Sequence, residues 1–394
     1  MMGPLSGLKV LELAGIGPAP MCGMLLADLG ASVLRIDRIE PSGLGVDRPI
    51  EFNLIMRNRD TIALDLKAQG AVELVLQLAE NADVLIEGFR PGVTERLGLG
   101  PEDCFARNRA LVYGRVTGWG QDGPLSKSAG HDLNYIAITG ALAAIGRAKS
   151  PPTPPLNVVG DFAGGGLFLA FGILAAVIEA RRLGMGQVVD AGIVDGVASM
   201  MTQFFGMKAA GLWTEKRGDN ILDSGAPFYD VYECADGELV SIAPIEDKFF
   251  LELARLLDIP ESMVELKRDK HRWGELRTVL AAAFAKKPRH HWRALLENTD
   301  ACFAPVLTMD EAKNHAHLQS RKTLIEVAGV VQPAPAPRFS RSIPDIPKPP
   351  RAHNPSNYEQ ILASWLPSAE IARALDIINE TSRHATDTST PSNS

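Results

Sequence analysis

The sequence predicts an α/β protein with a parallel sheet in a large domain, and a second, smaller α+β domain. Three observations predict it. Apolar runs of strand length recur at 8–13, 31–36, 61–66, 83–86 and 110–117. Helix-like segments at 21–29, 71–79 and 101–108 fall between them, and such alternation builds parallel strands with helices packed over them. Near Pro227 the texture changes to a hairpin pattern followed by consecutive helices.

The first run, Leu8-Lys-Val-Leu-Glu-Leu13, fits a buried strand, and Gly15, Gly17, Pro18 and Pro20 then break it. The helix over 21–29 ends at Gly30, a residue suited to the left-handed position after a helix. Strand 31–36 closes at Asp37-Arg38. After strand 110–117 a glycine-rich loop at 118–124 precedes helical spacing over 131–145. Pro151, Pro152, Pro154 and Pro155 force an extended connector. Asp161 opens an apolar helix that reaches about Arg182, followed by a strand at 187–190 and a helix over 193–211. In the second domain, 228–234 and 238–243 pair as a hairpin across Asp236-Gly237. Helices follow at 247–257, 273–285 and 290–298. Residues 333–350 are proline-rich, an extended return linker. Helices at 357–366, stopped by Pro367, and 369–378 come last, and residues 381–394 are polar and expected to be disordered. The expected division is a large domain of 1–225 plus 335–394 and a small one of 226–334.

A length of 394 residues is enough for two or three domains with substantial cores. Forty basic against 47 acidic residues leave a net charge of −7, which argues against a general nucleic-acid binder. The four cysteines are dispersed and form no C-x-x-C, as expected of a reducing compartment. Residues 1–8 lack the basic stretch and apolar run of a secretory signal, and the chain does not end in Ser-Lys-Leu. A cytoplasmic protein is therefore expected. The uncharged stretch 162–178 has 17 residues, four of them glycine, and reads as a buried core helix rather than a membrane span.

Gly15-Ile-Gly17-Pro-Ala-Pro20 follows a strand, with Asp37 about twenty residues on. Pro20 replaces the third glycine of a dinucleotide fingerprint, and two prolines remove N–H groups that would hold a pyrophosphate. A plain strand-to-helix turn is the better reading. Neither a phosphate loop nor a G-x-S-x-G elbow is present. His290-His291 and His315-x-His317, with Glu311 nearby, lack the companions of a metal motif and read as surface residues.

Three residues stand out. His131 lies where a helix begins, Asp161 at the start of the apolar helix, and Glu246 just past a hairpin strand. The plain readings are a hydrogen-bonded boundary residue, an N-cap and a solvated loop carboxylate. Two features favour chemistry at the first two. Gly164, Gly165 and Gly166 permit close approach of a backbone or a ligand, and free N–H groups at a helix start stabilise developing negative charge.

Several motifs together resemble the family III CoA-transferases: Pro4-Leu-Ser-Gly-Leu-Lys-Val-Leu-Glu-Leu13, Ala27-Asp-Leu-Gly-Ala31, Arg57-Asn-Arg59, Leu64-Asp-Leu-Lys67, Asp83-Val-Leu-Ile-Glu87 and Arg90-Pro-Gly-Val93. The resemblance spans about residues 4–345. Gly118-Trp-Gly120, Ala129-Gly-His-Asp-Leu-Asn-Tyr135, Asn157-Val-Val-Gly-Asp-Phe162 and Ala334-Pro-Ala-Pro-Arg-Phe-Ser340 resemble its α-methylacyl-CoA racemase branch. The resemblance implies a large Rossmann-like domain, a small domain and an interlocked homodimer whose active site lies between domains of different chains. It implies that His131 and Asp161 are catalytic and that Glu246 supports the histidine. For CoA it implies contacts from Arg38, from Leu64, Asp65, Leu66 and Lys67, from Gly88, Phe89, Arg90 and Arg96, and from Gly130, Asp132, Leu133, Asn134 and Tyr135.

The implied reaction inverts the methyl-bearing carbon α to a thioester carbonyl. Its proton is a very weak acid, so a base must remove it while the enolate oxygen is stabilised, and an acid must return a proton to the opposite face. His131 and Asp161 suit these two roles. Shielding would raise the Asp161 pKa toward working pH, Glu246 would orient the ring, and N–H groups near Asp132 are candidates for the enolate oxygen. Arg38, Lys67, Arg90 and Arg96 suit the phosphates of CoA. No metal or redox cofactor is needed, since CoA is part of the substrate, and neither nucleic acid nor membrane is an expected partner. A transferase of the same fold is the alternative: Asp161 would form an acyl anhydride and pass CoA to another acid. A non-catalytic CoA-binding scaffold is the third reading.

Overall fold

The structure, a computed structural model, describes residues 3–40, 43–260 and 262–388, the side chains of 382–388 excepted. The chain forms two compact units. The larger comprises Met1–Thr139, Leu156–Met200 and Lys322–Ser394, and the smaller Gly140–Pro155 and Met201–Arg321.

In the larger unit six strands form one sheet: β1 (Lys9–Leu13), β2 (Ser32–Asp37), β3 (Arg59–Ala63), β4 (Val84–Glu87), β5 (Val112–Thr117) and β6 (Val188–Gly192). All neighbours run parallel, in the order β3-β2-β1-β4-β5-β6. This is the doubly wound Rossmann order, and it bears out the expected α/β class. The order of strand addition reverses between β1 and β4, and ligands bind at such a switch point beyond the carboxyl ends of the strands. Leu11, Leu13, Leu34 and Leu85 are fully buried in the core, consistent with strands covered on both faces.

The helix after β1, α1 (Pro18–Asp28), begins three residues earlier than its spacing implied. Pro18 occupies the first helical position, where a missing N–H costs nothing, so it starts the helix instead of breaking it. Gly30 adopts φ 100 after its end, as expected. Two further helices, α2 (Ala71–Glu80) and α3 (Val93–Leu97), follow β3 and β4, and α4 (Pro101–Arg107) precedes β5. The spacing over 131–145 is not one helix. It forms α5 (Asp132–Ile138) and a short turn at Ala141–Ala144, because Gly140 between them takes φ 85.

The apolar helix also departs from expectation. It begins at Val158 with a π-helical stretch, Val158–Leu167, and continues as an α-helix over Phe168–Leu183. Asp161 is therefore not its N-cap but lies inside the π-helical part. The triple glycine explains the packing: added Cβ atoms would fall 2.6 Å from Val197 at Gly164, 2.8 Å from Pro18 at Gly165 and 3.0 Å from Met21 at Gly166. The close neighbours there are protein, from α1 and the helix Ile193–Met200. By length and apolarity Val158–Leu183 would suffice to cross a bilayer. One face packs on the sheet through Leu169, Ile173, Ala176 and Ala180, and the opposite face leaves Phe171 71% and Ile178 73% exposed. The core-helix expectation thus holds for one face only.

The Arg57-Asn-Arg59 motif is explained by buried ion pairs. Glu12 of β1 accepts from Arg35 and pairs with Arg59, each at 2.6 Å. Arg57 clamps Asp28 at 3.0 and 2.5 Å and donates to Gln332 Oε1 at 2.9 Å and the Pro333 carbonyl at 2.8 Å. This anchors the returning chain, whose hairpin of Leu324–Val327 and Val330–Pro333 the sequence did not announce.

The smaller unit holds the expected hairpin, Asp230–Glu233 with Leu239–Ile242, and Gly237 takes φ 78 at its turn. Phe303–Pro305 adds a third strand. Its helices Asp247–Leu256, Trp273–Phe284 and Arg289–Leu296 match expectation closely, and Met263–Arg268 is additional. Against the 226–334 drawn from the sequence, this unit takes in 140–155 and 201–225 and ends at Arg321. Arg217 donates to the carbonyls of Ala143, Arg147 and Ser150, and Arg147 pairs with Asp230 at 2.6 Å, so 140–155 and 201–225 fold with the hairpin. The pattern over 193–211 accordingly breaks at Met201. At the C-terminus a helix runs over Ser368–Thr388 where disorder was expected from 381, and residues 389–394 lie outside the described residues.

Candidate active site

Two groups of residues gather at the carboxyl ends of the strands. The first lines a cavity of about 570 Å³, within the usual size of a ligand site. It contains Arg38 at the end of β2, Leu64, Asp65, Leu66 and Lys67 after β3, and Phe89 after β4. Ala14, Ile36 and Leu97 supply an apolar wall. An aromatic ring with Arg38 and Lys67 in the same lining suits a nucleotide bearing phosphates, beside the carboxylates of Asp37, Glu40 and Asp65. Glu87 shapes the turn that presents Phe89: its carboxylate accepts the Phe89 N–H at 2.6 Å and pairs with Arg115 at 2.9 Å.

The second group surrounds Asp161. Its carboxyl lies against the turn after β1, where a Cβ added at Gly17 would be 3.3 Å from Oδ2. Asn157, one turn earlier, donates Nδ2–H to Asp161 Oδ2 at 3.2 Å. Burial raises the Asp161 pKa above the ordinary carboxylate value. Asn157 opposes that shift, the neighbouring Asp132 charge adds to it, and His131 opposes it in turn. His131 is thus close enough to act electrostatically on Asp161. It caps α5 in an extended conformation, and its N–H donates to Asn134 Oδ1 at 3.1 Å.

Tyr135 packs the His131 segment in place. Its hydroxyl donates to the Gly130 carbonyl, and its ring meets Trp119 edge-on at 4.8 Å between centroids. Burial raises the Tyr135 hydroxyl pKa, with the Asp161 charge adding to the rise and Arg90 acting in the opposite sense. The charge of Arg90 thus acts on Tyr135, while its chain neighbour Phe89 lines the cavity. A Cβ at Gly118 would stand 2.0 Å from the Tyr135 ring. Gly118→Ala is expected to push that ring aside, release Gly130 and lower kcat about a hundredfold, since a displacement of about 1 Å is enough for that. Steady-state kinetics beside the milder Tyr135→Phe would check it.

The remaining expected residues are placed as follows. Gly88 lets the turn after β4 approach α1, with an added Cβ 3.2 Å from Ala19. Arg96 lies in α3, and Leu133 is exposed on α5. Glu246 caps the helix Asp247–Leu256 in the smaller unit, with its side chain exposed. Asn157 and Gly17, though part of quoted motifs, were not expected as site residues from the sequence. The i, i+4 spacing of Asn157 and Asp161 on a helix was the available signal for the first. Among the described residues no group of three or more His, Cys, Asp and Glu side chains could hold a metal ion.

Comparison with known proteins gives a consistent result. The model of CoA-transferase family III matches residues 5–359. The chain is 42% identical over 339 residues to the mouse alpha-methylacyl-CoA racemase, covering 86% of this chain and 87% of that protein. It is 40% identical over 334 residues to the human alpha-methylacyl-CoA racemase, covering 84% and 86%. Among solved structures, a CAIB/BAIF family protein from Brucella suis matches with a TM-score of 0.77 at 26% identity, over 93% of this chain and all of that one. With a family match over most of its length and close relatives of similar size, the chain belongs to CoA-transferase family III.

Proposed function

We propose that the protein is an α-methylacyl-CoA racemase that inverts the α carbon of 2-methylacyl-CoA thioesters through an enolate. The observation that supports this reading is the raised, partly buried carboxyl of Asp161, on which the His131 charge acts. In one direction neutral His131 removes the α proton and protonated Asp161 returns one to the opposite face. In the other, ionised Asp161 removes the proton and protonated His131 returns it. A carboxyl lifted by burial holds its proton closer to working pH, which makes both directions accessible.

The CoA moiety is assigned to the cavity at Arg38, Lys67 and Phe89, with its phosphates at the two basic residues. The support given to His131 by Glu246 rests on the family resemblance. The reaction calls for no metal or redox group. The functional form is proposed to be a homodimer in which a second copy covers the apolar face at Phe171 and Ile178, since exposed patches of that kind mark contact surfaces. The four cysteines are all free, which suits the proposed cytoplasmic setting.

Incubating one enantiomer of a 2-methylacyl-CoA with the protein in heavy water tests the reading. Deuterium should enter the α carbon with loss of optical purity and without an added acceptor acid. Transfer of CoA to an added carboxylate, with no label at carbon, would assign Asp161 to anhydride chemistry instead. Neither label nor transfer would leave a CoA-binding scaffold.

A further inference from the structure

The π-helical start leaves backbone donors to be satisfied. Its first i to i−5 bond runs from the Phe162 N–H to the Asn157 carbonyl at 3.3 Å. The N–H groups just before Phe162 therefore have no partner within the helix, as at any helix start. One of them is met by a side chain from another element. Asp132 Oδ1 accepts the Asp161 N–H at 2.6 Å, and the Gly160 backbone lies against the same carboxylate. Asp132 is only 7% exposed, and its other oxygen, Oδ2, is buried without a hydrogen-bond partner. A Cβ at Gly160 would lie 2.3 Å from Oδ1, so glycine is what admits the carboxylate there.

Asp132 also directly follows His131 in the chain. We propose that Asp132 is a positioning residue that ties the two proton carriers together, its backbone setting the His131 peptide and its carboxylate holding the backbone of Asp161. This rests on the reading of His131 and Asp161 as the proton carriers. A half-satisfied buried carboxylate is costly. Spanning 29 residues, it fixes what a two-base inversion needs: a constant separation between groups on opposite faces of one carbon.

The test uses the full chain and three readouts: α-label exchange from each enantiomer, steady-state kinetics, and amide hydrogen exchange over 158–162. Asp132→Ala should expose the amide of Asp161 to faster exchange. It should slow labelling from both enantiomers about a hundredfold and leave the KM for acyl-CoA unchanged. Asp132→Asn keeps the Oδ1 acceptor, so it should restore amide protection and most of the rate. Asp132→Glu, with its acceptor displaced by one methylene, should behave like alanine and serves if the alanine variant does not fold. Normal labelling in Asp132→Ala would overturn the proposal. So would a rate loss matched by a rise in KM, which would make Asp132 a CoA contact, or an asparagine variant that regains amide protection but stays slow. Normal labelling in His131→Ala and Asp161→Ala would instead overturn the underlying reading, and the amide exchange would then still report whether Asp132 holds the turn.

Discussion

Replacing His131 by alanine should slow α-carbon inversion by about 10²–10⁴-fold, the usual contribution of a positioned acid–base group. CoA affinity should be nearly unchanged, because the cavity at Arg38, Lys67 and Phe89 is built from other strands. Label exchange from each pure enantiomer, beside binding of a non-reactive acyl-CoA, separates the two effects. The pH dependence has a sign that differs between enantiomers. Burial raises the Asp161 pKa, so the protonated form survives to higher pH than on an exposed carboxylate. For the enantiomer whose proton goes to His131, Asp161 must start protonated, and kcat/KM should fall as pH rises through that raised value. For the opposite enantiomer Asp161 must start ionised, and kcat/KM should fall as pH drops through the same value. Identical profiles for both enantiomers would exclude Asp161 as the second proton carrier.

Arg57→Ala should cost about 3–5 kcal/mol of stability, the scale for breaking one side of a buried ion pair. Asp28 would keep a buried negative charge, with the Asn58 amide at 2.7 Å as its remaining side-chain donor. Gln332 and the Pro333 carbonyl would lose their donor in the same step. Denaturant unfolding of Arg57→Ala, Asp28→Leu and the double variant Arg57→Met/Asp28→Leu checks the cause. The double variant should recover most of the loss, because it buries no unpaired charge. Equal loss in the double and single variants would mean that packing of the Arg57 stem, not charge, is what matters there.

Strand-length apolar runs were legible because buried parallel strands need them on both faces, and helices of the smaller unit were legible from their spacing. The boundaries that failed had two causes: local helix geometry that residue type alone does not fix, and partners distant in the chain. Pro18 looked like a breaker, and only the helix direction made it a first helical residue. The prolines at 151–155 looked like a plain connector, and Arg217, 67 residues beyond Ser150, donates to the carbonyl just before them. Asp161 looked like an N-cap, and the π-helical register moved it inside the helix.

Local composition and motif order were enough for the α/β class, the family resemblance and the short list that includes His131 and Asp161. These rest on short-range pattern, which the chain carries wherever it folds. Tertiary structure alone decided that the Asp132 carboxylate holds the Asp161 N–H, that Gly17 lies against the Asp161 carboxyl, and that Phe89 lines the cavity with Arg38 and Lys67. Each of those is a contact between segments remote in sequence. Its energy comes from burial and hydrogen-bond geometry that no single segment contains.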